Sequence, residues 1–122
     1  MTTVTSENRT LLNLEVVRST SLQHDLTLVV NSVTLDTTGY TGIMQVRETA
    51  NSSHALAELT TANGGIEMVA GGIIRLNMTA STSKDIPVGE KSYNVIVTNA
   101  SGFTFEAVYG KFTLLEGSSL IT

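Results

Sequence analysis

Two histidines, eleven acidic residues and no cysteine bound the chemistry open to this chain. Zinc needs three or four converging ligands. His24 and His54 lie far apart, with no carboxylate or second histidine at a ligand spacing, so both read as surface or turn residues. Asp25, Asp36 and Asp85 fall near expected strand ends or turns, where side-chain oxygens cap backbone amides. Nothing matches the spacing of a calcium loop. Glu58, Glu67, Glu90, Glu106 and Glu116 nominate no acid and base pair, because such a pair needs controlled separation and shifted protonation. No serine occupies a nucleophile elbow, and "NGG" and "AGG" are too short for a phosphate-binding loop. The expectation is a non-enzymatic protein with no cofactor and no metal.

Recognition chemistry is a separate question. Tyr40, Tyr93 and Tyr109 supply aromatic surface that, beside Asn or Asp, would suit a sugar, although core or interface packing is the preferred reading for each. A tyrosine exposed beside a cluster of polar side chains would favour the sugar. Seven basic against eleven acidic residues give a formal charge of −4, and the basic residues are scattered. Binding to a phosphate backbone needs a concentrated basic stripe, so no nucleic-acid partner is expected. No segment approaches the roughly 20 apolar residues of a membrane-spanning helix, and the N-terminus lacks the pattern of a signal peptide. The expectation is therefore a soluble chain made in a cytoplasm, with no membrane partner. The sequons "NRT", "NSS", "NMT" and "NAS" would matter only in a eukaryotic secretory route.

Charged residues make up 15% of the 122 residues, against about 25% for a typical soluble domain. Thr, Ser and Asn fill the difference. Such groups cost less to desolvate than charges, so the composition leans toward a surface buried in subunit contacts.

The elements that would position these residues recur at period two. "HDLTLVVN" (His24 to Asn31) places Leu26, Leu28 and Val30 on one face, and "VTLD" follows from Val33 to Asp36. After a turn at "TTGY", "TGIMQVRET" directs Met44 and Val46 inward and Ile43, Gln45 and Arg47 outward. "ANSSHALAELTTANGG" reads as a short strand with Ala55, Ala57 and Leu59 on one face and a turn at Asn63 and Gly64, in preference to a helix capped by Ser53. Ile66 and Met68 share a face. Beyond Gly71 and Gly72, Ile74, Leu76 and Met78 share another, with Ile73 and Arg75 outward. Pro87 and Gly89 form a turn into "SYNVIVTN", where Tyr93, Val95 and Val97 oppose Asn94, Ile96 and Thr98. In "FTFEAVYGKFTLLEG" the face changes between Ala107 and Val108, which predicts a bulge. All three phenylalanines lie here, so a heavy contribution to the core is expected.

Seven to nine short strands without a linker predict one all-β domain over residues 1–122. The architecture is a β-sandwich, with a small β-barrel as the alternative. Residues 1–17 are either a first core strand, the preferred reading, or an N-terminal arm that orders on a neighbour.

The order of motifs adds a resemblance. "LDTTGYTGIMQVRE", the "L…NGGI" hairpin, "GGIIRLNMTAS", the turn entering "Y.V.V" and the final "Y.G.FTLL" strand resemble small structural proteins of the tail and fibre gene region of tailed bacteriophages. They are also similar to the N-terminal domain of phage baseplate upper proteins. The resemblance covers about Leu35 to Thr122. Asn94 stands where Asp is frequent after the tyrosine, and no long fibre region follows. It implies an immunoglobulin-like β-sandwich and a non-enzymatic virion component at the tail, baseplate, neck or fibre-attachment region, assembled in the host bacterial cytoplasm. Its partners would be other virion structural proteins, in a homo-oligomer or symmetric hetero-assembly. The alternatives are a receptor or carbohydrate-binding module and a capsid decoration protein. Ile43, Gln45, Arg47, Ile73 and Arg75 are the candidate interface, because each points away from the expected core.

Overall fold

The computed structural model describes residues 2–5, 10–30 and 33–116. The sequon "NRT" at its Asn8 and Arg9, part of the N-terminal segment, Asn31 and the tail beyond 116 lie outside them.

Among the described residues, eleven strands form two sheets. One sheet orders β1 (Thr2–Thr5), β4 (Leu22–Val30), β9 (Ile73–Met78) and β8 (Ile66–Val69), with β5 (Val33–Thr34) paired to β4. The other orders β2 (Thr10–Leu11), β11 (Thr104–Leu115), β10 (Gly89–Thr98), β6 (Thr41–Arg47) and β7 (Ala55–Thr60), with β3 (Leu14–Val17) also paired to β11. The sheets face one another as an immunoglobulin-like β-sandwich and do not close into a barrel.

Period-two alternation makes the core. Leu26, Leu28, Ile74 and Leu76 from one sheet meet Met44, Val46, Val95, Val97 and Phe112 from the other, all without solvent exposure. Burying each such side chain contributes about 1.5–3 kcal/mol relative to leaving it exposed. The expected bulge is present: the β10–β11 register shifts between Val95 and Ile96, skipping Ala107, so that Ala107 and Val108 are both buried. A second shift between β6 and β7 skips Leu56. It leaves Ala55 exposed, whereas the sequence pattern placed Ala55 inward with Ala57 and Leu59.

The segment from 10 to 17 runs parallel to β11, with Leu14 and Val16 buried. Between its two strands the Leu12 carbonyl approaches Gly110 so closely that a Cβ there would lie 2.2 Å from it. The same carbonyl accepts a 2.6 Å hydrogen bond from the Tyr93 hydroxyl. Glycine at 110 is thus required by a close backbone approach.

The connection from β9 to β10 contains an element the sequence reading missed. A short helix, α1 (Ala80–Lys84), starts where the Thr79 hydroxyl accepts from the Thr82 amide. Its buried Ser83 hydroxyl donates to the Thr20 carbonyl at 2.7 Å and accepts from the Ser19 amide at 3.0 Å. Ser19 has φ of 74°, and this bond helps hold the left-handed turn. A five-residue helix leaves almost no periodic signal, so only the contact makes it visible.

Phe103 departs from the expected core role. It is 61% exposed at the tip of the β10–β11 hairpin, with its ring 6.1 Å from that of Phe105. His24 is half-buried within β4, not in a turn, while His54 is exposed.

Candidate functional site

Neighbouring strands in the six-stranded sheet bring outward side chains into rows. Gln45, Asn94, Tyr109 and Leu11 align across β6, β10, β11 and β2. The next row holds Arg47, Ser92 and Lys111. Ser92 is short and stands between two long side chains. The result is a depression of about 440 Å³ on the outer face.

Hydrogen bonds fix the walls. Gln45 Nε2 donates to Glu58 at 2.7 Å, and Asn94 Nδ2 donates to Glu106 at 3.0 Å. Arg47 donates to the Ser52 carbonyl at 3.0 Å and to Gln45 Oε1. Lys111 is paired with Glu90 at 2.7 Å near the rim. Tyr109, half-buried, forms part of the wall.

The outer face of the five-stranded sheet is built differently. Arg75 donates twice to the Asp25 carboxylate, at 2.9 and 3.1 Å, across β9 and β4. This hydrogen bond lowers the Asp25 carboxyl below its ordinary range, against an opposing contribution from partial desolvation, and the positive charge of Arg75 adds to it. Asp25 is therefore a mid-strand ion-pair partner and not the turn cap expected from the sequence. Asp36 does cap a turn, accepting from the Thr38 amide and hydroxyl. Asp85 forms the C-cap of α1 through its backbone amide.

The five candidate interface residues fall on two opposite surfaces. Ile43, Gln45 and Arg47 lie half-buried on the outer face of one sheet, and Ile73 with Arg75 half-buried on that of the other. They form no single patch. Gln45 and Arg47 alone among them line the depression.

The tyrosines separate by environment. Tyr93 is buried against Phe112, with ring centroids 6.0 Å apart in an edge-on arrangement, and burial pushes its phenol pKa up. Tyr40 is half-buried and packs against the core. Tyr109 combines part exposure with the polar neighbours Gln45, Asn94 and Glu106 on β6, β10 and β11. The sequence named Asn94 as outward and Tyr109 as aromatic. It held no sign that Ser92 would sit between Arg47 and Lys111, because that depends on the pairing of three strands.

Next to Ser92 on β10, Lys91 turns inward and is 5% exposed. Its ammonium donates to both Glu48 oxygens, at 2.9 and 3.1 Å. Among the described residues, no group of three or more His, Asp or Glu side chains converges to hold a metal ion. Nor does any described helix have the length and apolarity to cross a membrane.

These strands define an immunoglobulin-like sandwich carrying a depression of mixed apolar and polar lining on one sheet. Among solved structures, the chain is similar to the N-terminal domain of phage TP901-1 ORF48, with a TM-score of 0.56 and 9% identity over 93% of this chain and 94% of that one. No protein-family model and no curated protein matches the sequence.

Proposed function

We propose that this chain is a non-enzymatic structural component of a bacteriophage virion, at the tail, baseplate, neck or fibre-attachment region. The observation that carries the reading is the fold shared with a phage protein domain over nearly the full length of both chains. The sequence resemblance to tail and fibre-region proteins points the same way. Low charge and half-apolar outward rows support a role exercised through protein contacts.

In this reading the two outer faces contact different neighbours. Ile43 and Ile96 are directly paired and supply apolar surface on the six-stranded sheet, while Ile73 and Val69 do so on the other. Contacts through different surfaces suit a component placed between other proteins in a symmetric assembly. Assembly would take place in the host cytoplasm.

Quantitative mass spectrometry of purified virions whose genome encodes this chain, with immunogold labelling, tests the proposal. A fixed copy number and label at the tail are expected. Absence of the chain from particles overturns the structural role, and label on the head surface replaces the tail assignment with capsid decoration.

A further inference from the structure

We propose that the depression around Ser92 and Tyr109 is a binding site for a neutral saccharide. The inference goes beyond the virion role and concerns the isolated chain as much as an assembled one.

Its volume of about 440 Å³ falls within the roughly 300–1,000 Å³ typical of ligand clefts. The lining chemistry selects the ligand class. A purely anionic group gains little net attraction, because the Glu106 carboxylate also lines the depression and the Lys111 ammonium there is already paired with Glu90. A purely apolar group would strip water from Gln45, Arg47 and Asn94 without replacing their hydrogen bonds. A sugar meets both conditions, since each hydroxyl donates one hydrogen bond and accepts others. Its C–H face also packs against aromatic surface, which Tyr109 supplies.

Preorganisation strengthens the argument. Asn94 is held by Glu106, Gln45 by Glu58, and Arg47 by Ser52 and Gln45, all on or beside paired strands. Ordering these side chains on binding therefore costs little rotamer freedom. Unused capacity remains: the Asn94 donor to Glu106 leaves its carbonyl oxygen and second N–H, and Ser52 and Gln45 engage two of the five guanidinium donors of Arg47. Ser92 forms the floor, so a ring can approach between Arg47 and Lys111, whose strands are separated by roughly 10 Å.

The test is amide NMR titration of the full chain with glucose, galactose, mannose, rhamnose, N-acetylglucosamine and N-acetylgalactosamine, with glycerol as a non-ring control. Saturable shifts centred on Ser92, Asn94 and Gly110 are expected for at least one sugar, with a dissociation constant on the order of 1 mM. Tyr109→Ala and Asn94→Ala should each weaken binding by about tenfold. Tyr109→Phe keeps the ring face and should retain binding, which guards against a folding defect in the alanine variant. Phe103→Ala, at the distant hairpin tip, should leave the titration unchanged. The proposal is overturned by the absence of localised shifts with every sugar, by equal shifts with glycerol, or by sugar shifts confined to another surface. Shifts at this face produced by a purified virion protein but by no sugar would also overturn it, in favour of a protein contact. None of these outcomes bears on whether the chain is present in particles.

Discussion

Tyr93 and Asn94 are adjacent on β10, yet the pleat sends them to opposite environments. Tyr93 lies in a dry layer with Val95, Val97 and Phe112, where its hydroxyl meets the Leu12 carbonyl. Asn94 lies on the wet face, hydrogen-bonded to Glu106 beside Tyr109 and Ser92. Close packing makes the inner face sensitive to volume and to every unpaired polar atom. On the outer face water can replace a lost partner, so the same ribbon carries stability on one side and recognition on the other.

Substitutions can break that contrast in order of expected effect. Phe112→Ala on the inner face should destabilise by about 3–5 kcal/mol, because a fully buried ring leaves a cavity. Denaturant unfolding measures it, and a loss below about 1 kcal/mol would mean that the layer repacks freely. Gly110→Ala comes next. The new Cβ would meet the Leu12 carbonyl, so the segment from Leu12 to Leu14 must shift, and a loss of about 2 kcal/mol is expected, with faster hydrogen exchange in β3.

Tyr93→Phe removes one hydroxyl and leaves the Leu12 carbonyl without this donor, at a cost of about 1–2 kcal/mol. Asn94→Ala and Tyr109→Ala, on the outer face, should change stability by about 0.5 kcal/mol or less while weakening sugar binding in the depression by about tenfold. Equal losses at Tyr93 and Asn94 would erase the distinction between the two sides.

The opposite sheet sharpens the comparison through pH. Asp25 is lowered in the folded state by the hydrogen bond from Arg75, relative to an unfolded value of about 3.9. The pair therefore stabilises the fold fully above that pH, and its contribution is lost as pH falls through the lower folded value. Asp25→Asn should flatten the acid limb of the stability profile and leave the neutral-to-alkaline slope unchanged. An unaltered acid limb would show that the pair adds nothing beyond its solvated partners.

Much of the fold was legible because alternation is a local property. Leu26 and Leu28, Met44 and Val46, Tyr93 through Val97, and Ile74 through Met78 all face the side their spacing indicates. The face change at Ala107 and Val108 revealed the bulge, and Asn63 with Gly64 marked the β7–β8 turn, where the Asn63 side chain accepts from the Thr60 and Gly65 amides. Elsewhere a long-range contact decided. Lys91 shares the inward face of Tyr93 and Val95, a position for a charge that is tolerable only because Glu48, distant along the chain, supplies a carboxylate. Ala55 faces out because β7 slips at Leu56 against β6.

By itself, then, the sequence determined an all-β chain, the faces of most strands, the sites of its tight turns and the poverty of catalytic groups. Tertiary structure alone decided which strands are neighbours, that the segment from 10 to 17 runs parallel to β11, and that α1 docks on the turn after β3. It also decided that the five outward candidates divide between two faces while Ser92, Asn94 and Tyr109 share a depression. The physical reason is that alternation fixes the side of a sheet to which a residue points, while lateral neighbours depend on strand order and register, which join residues distant along the chain.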